Sequence, residues 1–189
     1  MADPASHRPT LREIHESMEV PGHRVELIGG RIIVSPVPQI RHGEIVFWLG
    51  DQLQNVCAAK GWSRLPQTTL DMLATDERIV PDVLVYPREE SIAEAWLVPA
   101  ARALLVVEIV SPSSRRTDYE DKCVSCAKNG IPMYLIIDPY DATLTLCTEP
   151  SEKGYRLVHS VDVGDKLDLP EPFGITLDTG TLPIKAAES

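Results

Sequence analysis

The segment from Ala103 to Val110 is apolar at every position except Glu108. Because both alternating faces of the segment are apolar, it predicts a β-strand that is covered on both sides. An ionised carboxylate in such a strand loses hydration worth several kcal/mol unless another group compensates. A buried ion pair, a carboxyl group protonated by burial, or a side chain that reaches solvent at the strand end would each supply that compensation.

A second carboxylate, Asp82, stands directly before another apolar segment, Val83 to Tyr86. If the two predicted strands are neighbours, Asp82 and Glu108 lie close together and their negative charges repel each other. A hard divalent cation that prefers oxygen ligands relieves this repulsion. Mg²⁺ is therefore the cofactor that we expect, with Mn²⁺ as its substitute.

Lys122 lies on the helix that we expect after the second of these strands. Thr117 and Glu120 have the spacing of a capping box, which predicts a helix from Asp118 to Asn129. The long side chain of Lys122 can follow the apolar face of that helix and bring its ammonium group to the strand ends. The alternative is a surface ion pair with Asp118, one helical turn earlier.

The remaining chain predicts a single domain over residues 1–189 that alternates helices and strands, with residues 1–9 and 180–189 flexible. We expect a first helix from Leu11 to Met18, a β-hairpin that turns at Gly29-Gly30, and a long helix from Gln39 to Lys60. Further strands are predicted at residues 62–70, 82–86 and 103–110, and at MYLIID, TLTLC and YRLVHSV in the last third of the chain. The tail after about Asp168, rich in proline and glycine, is expected to cover the body or to fray.

Composition limits the class of protein. With 43% hydrophobic and 24% charged residues and no long apolar run, the chain is expected to be globular and not membrane-bound. The N-terminus has no secretion signal, so we expect a cytoplasmic protein with reduced cysteines. Cys123-x-x-Cys126 lies in a predicted helix, which favours core thiols over a zinc site.

A net charge of -10 opposes sequence-independent binding to nucleic acid, which depends mainly on lysine and arginine. The net charge does not exclude a local basic surface, which forms if the fold brings several arginines together. The arginines in question are Arg24, Arg31, Arg41, Arg115 and Arg116.

The motifs Pro81 to Val83, Val107 to Ser113, Arg115 to Lys122 and Gly130 to Pro139 resemble those of the PD-(D/E)XK nuclease superfamily. Within it, they are similar to the family of putative restriction endonucleases whose catalytic lysine lies on the helix after the glutamate strand. The resemblance extends over about residues 24–139. It implies an α/β (α+β) fold, with a restriction-endonuclease-like mixed central sheet flanked by helices, an N-terminal helix and a β-hairpin.

The resemblance also implies hydrolysis of phosphodiester bonds by a homodimer. Asp82, Glu108 and the main-chain carbonyl of Ile109 would hold Mg²⁺, while Lys122 would orient or help deprotonate the attacking water. Asp118 would position the lysine. The further auxiliary candidates are Glu26 as an outer ligand, His42, and Arg115 and Arg116 as contacts to phosphate.

Three hypotheses follow from the sequence. The first is a Mg²⁺-dependent endonuclease that acts on double-stranded DNA, and it requires Asp82, Glu108 and Lys122 to converge around one cavity. The second is an inactive or regulatory binding module that keeps the nuclease fold, which predicts an occluded cavity or no affinity for metal. The third is an acid-base enzyme without metal, whose activity would survive chelation.

Overall fold

The computed structural model of the protein describes residues 8–36, 38–89 and 94–184. Helices α1 (Leu11–Ser17), α2 (Ile40–Lys60) and α3 (Cys123–Lys128) flank the sheets, and α3 continues a π-helical turn at Thr117–Lys122. The strands are β1 (His23–Ile28), β2 (Arg31–Pro36), β3 (Trp62–Leu65), β4 (Thr69–Met72), β5 (Glu77–Ile79), β6 (Val83–Pro87), β7 (Leu97–Pro99), β8 (Leu105–Ile109), β9 (Met133–Asp138), β10 (Thr143–Ser151), β11 (Gly154–Asp162), β12 (Lys166–Leu169) and β13 (Ile175–Asp178).

The centre of the fold is a six-stranded sheet with the order β11-β10-β9-β8-β6-β3. Strands β8 and β9 are parallel, and the other neighbours in this sheet are antiparallel. A second, five-stranded sheet has the order β2-β1-β5-β4-β7, and β12 pairs with β13. The expected mixed α+β fold, with a central sheet, flanking helices and an N-terminal hairpin, is confirmed.

Alternate residues of β8 enter two different hydrophobic cores. Leu105, Val107 and Ile109 pack with α2 and the β12–β13 hairpin on one face of the central sheet. Val106 packs with α3 and the five-stranded sheet on the opposite face. Because side chains alternate along a strand, Glu108 projects toward the same side as Val106, where α3 and β1 lie.

The start of α1, the end of α2 and the turn of the N-terminal hairpin form where the sequence predicts them. The Thr10 hydroxyl accepts the Glu13 N–H at 3.2 Å, and the Glu13 carboxylate accepts the Thr10 N–H at 2.7 Å, so the capping box starts α1. Helix α2 ends at Gly61, whose φ of 68° lies in the left-handed region that favours glycine. The hairpin turn at residues 29–30 has φ values of 55° and 65°, which suit two glycines.

The single strand predicted at residues 62–70 is wrong. The chain forms β3 in the central sheet and β4 in the five-stranded sheet, with a turn between them. Pro66 has no N–H for a sheet ladder, and Gln67 has a φ of 50°, so the chain changes direction there. Strands β5 and β7, three residues each, were not predicted because such short segments carry little periodic signal.

The predicted start of the lysine helix at Asp118 is also wrong, because the helical segment begins at Arg115. Ser111 and Ser114 cap each other: the Ser111 N–H donates to Ser114 Oγ at 3.0 Å, and the Ser114 N–H donates to Ser111 Oγ at 3.2 Å. The Thr117–Glu120 spacing therefore lies inside the helical segment, where it caps nothing.

The tail after Asp168 completes β12 and forms β13, and Phe173 between them joins the core under α2. The expected flexibility of residues 1–9 and 180–189 lies mostly outside the described residues. Residues 180–184 are described and contact the body of the protein: the Thr181 hydroxyl accepts the Trp48 indole N–H at 2.9 Å, and Leu182 is buried in the core. Over residues 8–36, 38–89 and 94–184, no helix has the length and apolar character needed to cross a membrane.

Leu53 tests the contribution of the core between α2 and the central sheet, because its side chain is fully buried there. We expect Leu53→Ala to lower the free energy of unfolding by about 2–5 kcal/mol, the range for a buried leucine truncated to alanine. The matched control is Leu157→Ala on β11, where the leucine is 54% exposed. The control should change stability by less than about 1 kcal/mol in urea denaturation. Equal losses for the two variants would contradict the assignment of this core.

Candidate active site

Two neighbouring strands of the central sheet bring Asp82 and Glu108 together. Val83 on β6 pairs with Val107 on β8, so the antiparallel register places the residue before β6 next to Glu108. Asp82 Oδ2 accepts the Ile109 N–H at 2.8 Å. Both carboxylates are buried, as the apolar surroundings of each residue in the sequence predicted.

Lys122 supplies the positive charge that compensates Glu108. Its Nζ atom lies 3.0 Å from Glu108 Oε1, 3.0 Å from Glu26 Oε1 and 3.7 Å from Asp118 Oδ1. The lysine is 2% exposed and is the last residue of the π-helical turn. Of the compensations that the sequence left open, the buried ion pair is therefore the one that the fold adopts.

Glu26 reaches this cluster from β1 of the other sheet. Its carboxylate accepts the Val80 N–H at 2.8 Å through Oε1, the atom that also contacts Lys122. The residue is 2% exposed, so it is not a solvated carboxylate at a strand edge. Asp118 completes the set from the helical side, and its Oδ1 is buried with no hydrogen-bond partner among the residues that the structure describes.

Two further basic residues hold Asp82. Arg24 Nη1 lies 2.8 Å from Asp82 Oδ1, and His42 Nε2 lies 3.0 Å from the same oxygen. Arg24 Nε is also 3.7 Å from Glu26 Oε2. From the sequence, Arg24 is expected on a local basic surface and in a family-like motif from Arg24 to Gly30, without a role at the carboxylates. Its spacing of two residues from Glu26 puts both side chains on one face of β1, and this spacing is the signal that would have assigned Arg24 to the site.

The pKa shifts show which charges the protein stabilises. Burial opposes the charge of Lys122, but Glu108, Glu26 and Asp118 together raise its pKa above the ordinary value, so the lysine is an ammonium. Burial likewise opposes the charge of Asp82, but His42, Arg24 and the Ile109 N–H hold its pKa below the usual range.

Glu108 and Asp118 behave in the opposite way. Burial raises the pKa of Glu108 well above the usual range, and the charge of Lys122 offsets only part of that shift. Burial likewise raises the pKa of Asp118 to about 6 despite the nearby lysine. Burial therefore disfavours the charged form of both carboxyl groups, and Lys122 compensates for only part of that cost.

A cavity of about 390 Å³ opens above these groups. Its polar lining includes Glu26, Asp82, Glu108, Asp118, Lys122, Arg24, Arg41 and His42. Its apolar walls come from Ile33, Val34, Pro36, Pro38, Ile109, Pro112 and Tyr140. The structure thus brings the three predicted catalytic residues, and three of the five auxiliary candidates, to one cavity.

Arg115 and Arg116 do not line this cavity. The Arg115 guanidinium contacts Asp138 and Asp141, each at 2.7 Å, and Arg116 lies 3.1 Å from Asp121. These carboxylates neutralise the two arginines, so the structure gives no support to their assignment as contacts to a phosphate in the cavity.

Within the described residues, the carboxylates do not form a ready-made cluster of three metal ligands. The reason is visible in the contacts above, since Asp82 Oδ1 is held by Arg24 and His42 while Glu108 Oε1 is held by Lys122. The donor set itself, carboxylate oxygens beside a strand end, is the kind that Mg²⁺ and Mn²⁺ prefer.

Comparisons with known proteins agree with this fold. The family model Uma2, described as "Putative restriction endonuclease", matches residues 11–180. A solved structure of a putative nuclease belonging to DUF820 from Anabaena variabilis ATCC 29413 is similar with a TM-score of 0.75 and 25% sequence identity, covering 93% of this chain and 97% of that chain. No curated protein sequence matches. Since the family match includes both sheets and all residues of the site, the chain belongs to the Uma2 family of putative restriction endonucleases.

Proposed function

We propose that the protein is a Mg²⁺-dependent endonuclease that hydrolyses phosphodiester bonds in DNA. The observation that carries this proposal is the convergence of Asp82, Glu108 and Lys122 at one cavity, with Lys122 Nζ 3.0 Å from Glu108 Oε1. These residues come from two strands and a helix, and convergence of this kind is what separates a nuclease site from carboxylates that are buried for structural reasons alone.

The charge balance of the site fits a divalent cation. Among the described residues, the buried carboxylates Glu26, Asp82, Glu108 and Asp118 form ion pairs with two permanently charged side chains, those of Arg24 and Lys122. Burial is the main cause of the raised pKa values of Glu108 and Asp118, and repulsion from the neighbouring carboxylates raises both pKa values further. Among the described residues, Asp118 Oδ1 is buried without a hydrogen-bond donor, which is costly and supports the same conclusion.

The residues that would hold the ion are Asp82, Glu108 and the main-chain carbonyl of Ile109. A bound Mg²⁺ or Mn²⁺ would lower the pKa of a water ligand and polarise a phosphoryl oxygen. The Ile109 N–H fixes the Asp82 carboxylate at 2.8 Å, and Arg24 and His42 keep it ionised and therefore able to act as a ligand.

Lys122 acts in this proposal as a cation. Because its pKa is raised by three carboxylates, the ammonium donates hydrogen bonds and stabilises the negative charge that develops on the phosphoryl group. A lysine in this protonation state cannot accept a proton from the attacking water. We therefore assign it to orientation and charge stabilisation, and Asp118 and Glu26 hold its Nζ in place.

The substrate is proposed from the family and from the mouth of the cavity. Arg41 is exposed at the start of α2 and lines the cavity, where it can contact a phosphate despite the net charge of -10. Double-stranded DNA is the substrate that we propose, with a homodimer as the active species, because two-fold association suits a substrate with two antiparallel strands.

A second candidate function is an inactive binding module that keeps the nuclease fold. The observation that favours it is that Lys122 is buried against Glu108 and Arg24 contacts Asp82, so cations already lie at both carboxylates. This candidate predicts that divalent metal changes neither the stability nor the activity of the protein.

Cleavage of a supercoiled plasmid tests the proposed function. We expect cleavage with Mg²⁺ or Mn²⁺, no cleavage with EDTA, and a loss of at least about 100-fold in Glu108→Gln and in Lys122→Met, the range for removal of a group that stabilises a transition state. The matched controls are Glu152→Gln and Lys153→Met, because both residues are exposed in the turn between β10 and β11.

The controls should cleave at the parental rate, while the loss of cleavage in the two site variants, purified in the same way, excludes a contaminating nuclease as the source of activity. Cleavage that persists in EDTA, or that is equal in Glu108→Gln and Glu152→Gln, would overturn the metal-dependent proposal.

Asp118 provides a test by pH. Its pKa is about 6 in the folded protein against an ordinary value of 3.8, so the folded state binds its proton more tightly than the unfolded state does. The stability that this group contributes is therefore present at low pH and is lost as the pH rises through about 4 to 6. Asp118→Asn removes the ionisation, so the stability of this variant relative to the parent should increase by about 1–3 kcal/mol between pH 4 and pH 7.5.

Urea denaturation of both proteins in EDTA measures that difference. Asp51→Asn, at an exposed position of α2, serves as the control and should show little change with pH. A variant that is less stable than the parent by the same amount at both pH values would show that the charged form of Asp118 is a net stabilising partner of Lys122.

A further inference from the structure

A group of thiols lies on the lysine-bearing helical segment and on the strand that it covers. Cys123 follows Lys122 directly in the chain, and its Sγ lies 3.9 Å from Sγ of Cys147 on β10. Cys147 and Cys126 are buried, Cys123 is half-buried, and all three are free. The nuclease proposal uses none of these groups.

We propose that Cys123 and Cys147 form a redox-responsive thiol pair, which a peroxide converts to a disulfide that ties the lysine-bearing helix to β10.

The two residues are 24 positions apart in the chain, so the pair would crosslink two different elements. A disulfide requires sulfur atoms at about 2.05 Å, which means an approach of about 2 Å from the present separation. Strand β10 is paired on both sides, with Cys147 opposite Tyr134 of β9 and Val158 of β11. Because β10 is held by two ladders, the movement falls mainly on the helical segment that carries Cys123.

The surroundings make Cys123 the thiol that reacts first. It is half-buried, so a small oxidant reaches it, whereas Cys126 is fully buried. The contact with Cys147 lowers the pKa of Cys123, which favours the nucleophilic thiolate, while burial raises the pKa of Cys126 well above the usual range. Cys147 lies within reach as the resolving thiol.

The chemistry needs only a peroxide as oxidant. The Cys123 thiolate attacks one peroxide oxygen, the O–O bond breaks, and the products are a sulfenic acid and hydroxide, which takes up a proton to become water. The Cys147 sulfur then attacks the sulfenic sulfur, the S–O bond breaks, and the oxygen leaves as water with the thiol proton. Two thiols are thereby oxidised by two electrons, and one peroxide is reduced to two waters.

The consequence for activity rests on the proposed nuclease function. Cys123 is covalently adjacent to Lys122, whose Nζ is fixed by contacts of 3.0 Å to Glu108 and Glu26. A displacement of the helical segment moves the ammonium relative to these carboxylates. Since a misplacement of about 1 Å costs roughly 100-fold in rate, the disulfide should lower cleavage by about 10- to 100-fold.

Mass spectrometry of the full chain tests the pair without reference to activity. The protein is treated with a small molar excess of hydrogen peroxide. One sample is measured intact without alkylation, and a second is denatured, alkylated with N-ethylmaleimide and measured after proteolysis. We expect a loss of about 2 Da, the mass of two hydrogen atoms, a crosslinked peptide that joins Cys123 to Cys147, and reversal by dithiothreitol. Cys147→Ser should lose the crosslink, and Cys57→Ser, with its cysteine in the α2 core, should retain it.

The peptide map of the parent protein is decisive even if a variant fails to fold. Irreversible oxidation of Cys123 without a crosslink, or a crosslink that joins Cys123 to Cys126 or Cys57, would overturn the proposal. Plasmid cleavage is then compared before and after oxidation. If the reduced protein does not cleave, the nuclease function fails while the mass result stands; if the crosslinked protein cleaves at the reduced rate, the link between the disulfide and Lys122 is wrong.

Discussion

The buried contact between the Lys122 ammonium and the Glu108 carboxylate, at 3.0 Å, is the interaction on which the rest of the site depends. Each charge alone would destabilise the fold, because neither residue is more than 2% exposed. The pair forms only if a helical segment covers β8 and brings the long side chain of Lys122 to the end of that strand. Glu26 and Asp118 then hold the ammonium from the second sheet and from the helical segment itself.

The alternation of side chains along β8 determines which elements meet at the cavity. Odd-numbered residues of this strand build the core under α2, so Glu108 points to the other face, where the five-stranded sheet and the helical segment lie. Asp82 enters from the neighbouring strand and is neutralised in part by Arg24 and His42. The site therefore lies between the two sheets, and its excess of carboxylate charge is the property that a divalent cation would satisfy.

From the sequence, Glu108 is recognisable because a charged residue inside an apolar strand is exceptional and must have a partner, and Asp82 because it stands at the start of a second apolar strand. The assignment of Lys122 depended on the family resemblance, since its spacing also suited a surface ion pair with Asp118. The hairpin and α2 follow from local turn and helix signals. The contacts of Arg24 and His42 with Asp82 join residues 58 and 40 positions apart, and local spacing does not encode such contacts. The break between β3 and β4 was missed although Pro66 marks it, and the mutual cap of Ser111 and Ser114 was missed because the Thr117–Glu120 spacing offered a competing start for the helix.

Isothermal titration calorimetry with Mn²⁺ and Mg²⁺ measures whether a divalent cation binds at Glu108. The titrations compare the parent protein, Glu108→Ala and the exposed control Glu152→Ala. Each protein is titrated with and without a non-cleavable DNA duplex. Each titration is repeated in two buffers of different ionisation enthalpy, and the difference in measured heat gives the number of protons released when the metal binds. We expect binding to the parent and to the control, loss of binding in Glu108→Ala, and proton release near pH 6, because burial raises the pKa of Asp118 to about 6 and a nearby ion displaces its proton. An absence of binding to the parent protein, even with DNA present, would contradict the proposed metal site.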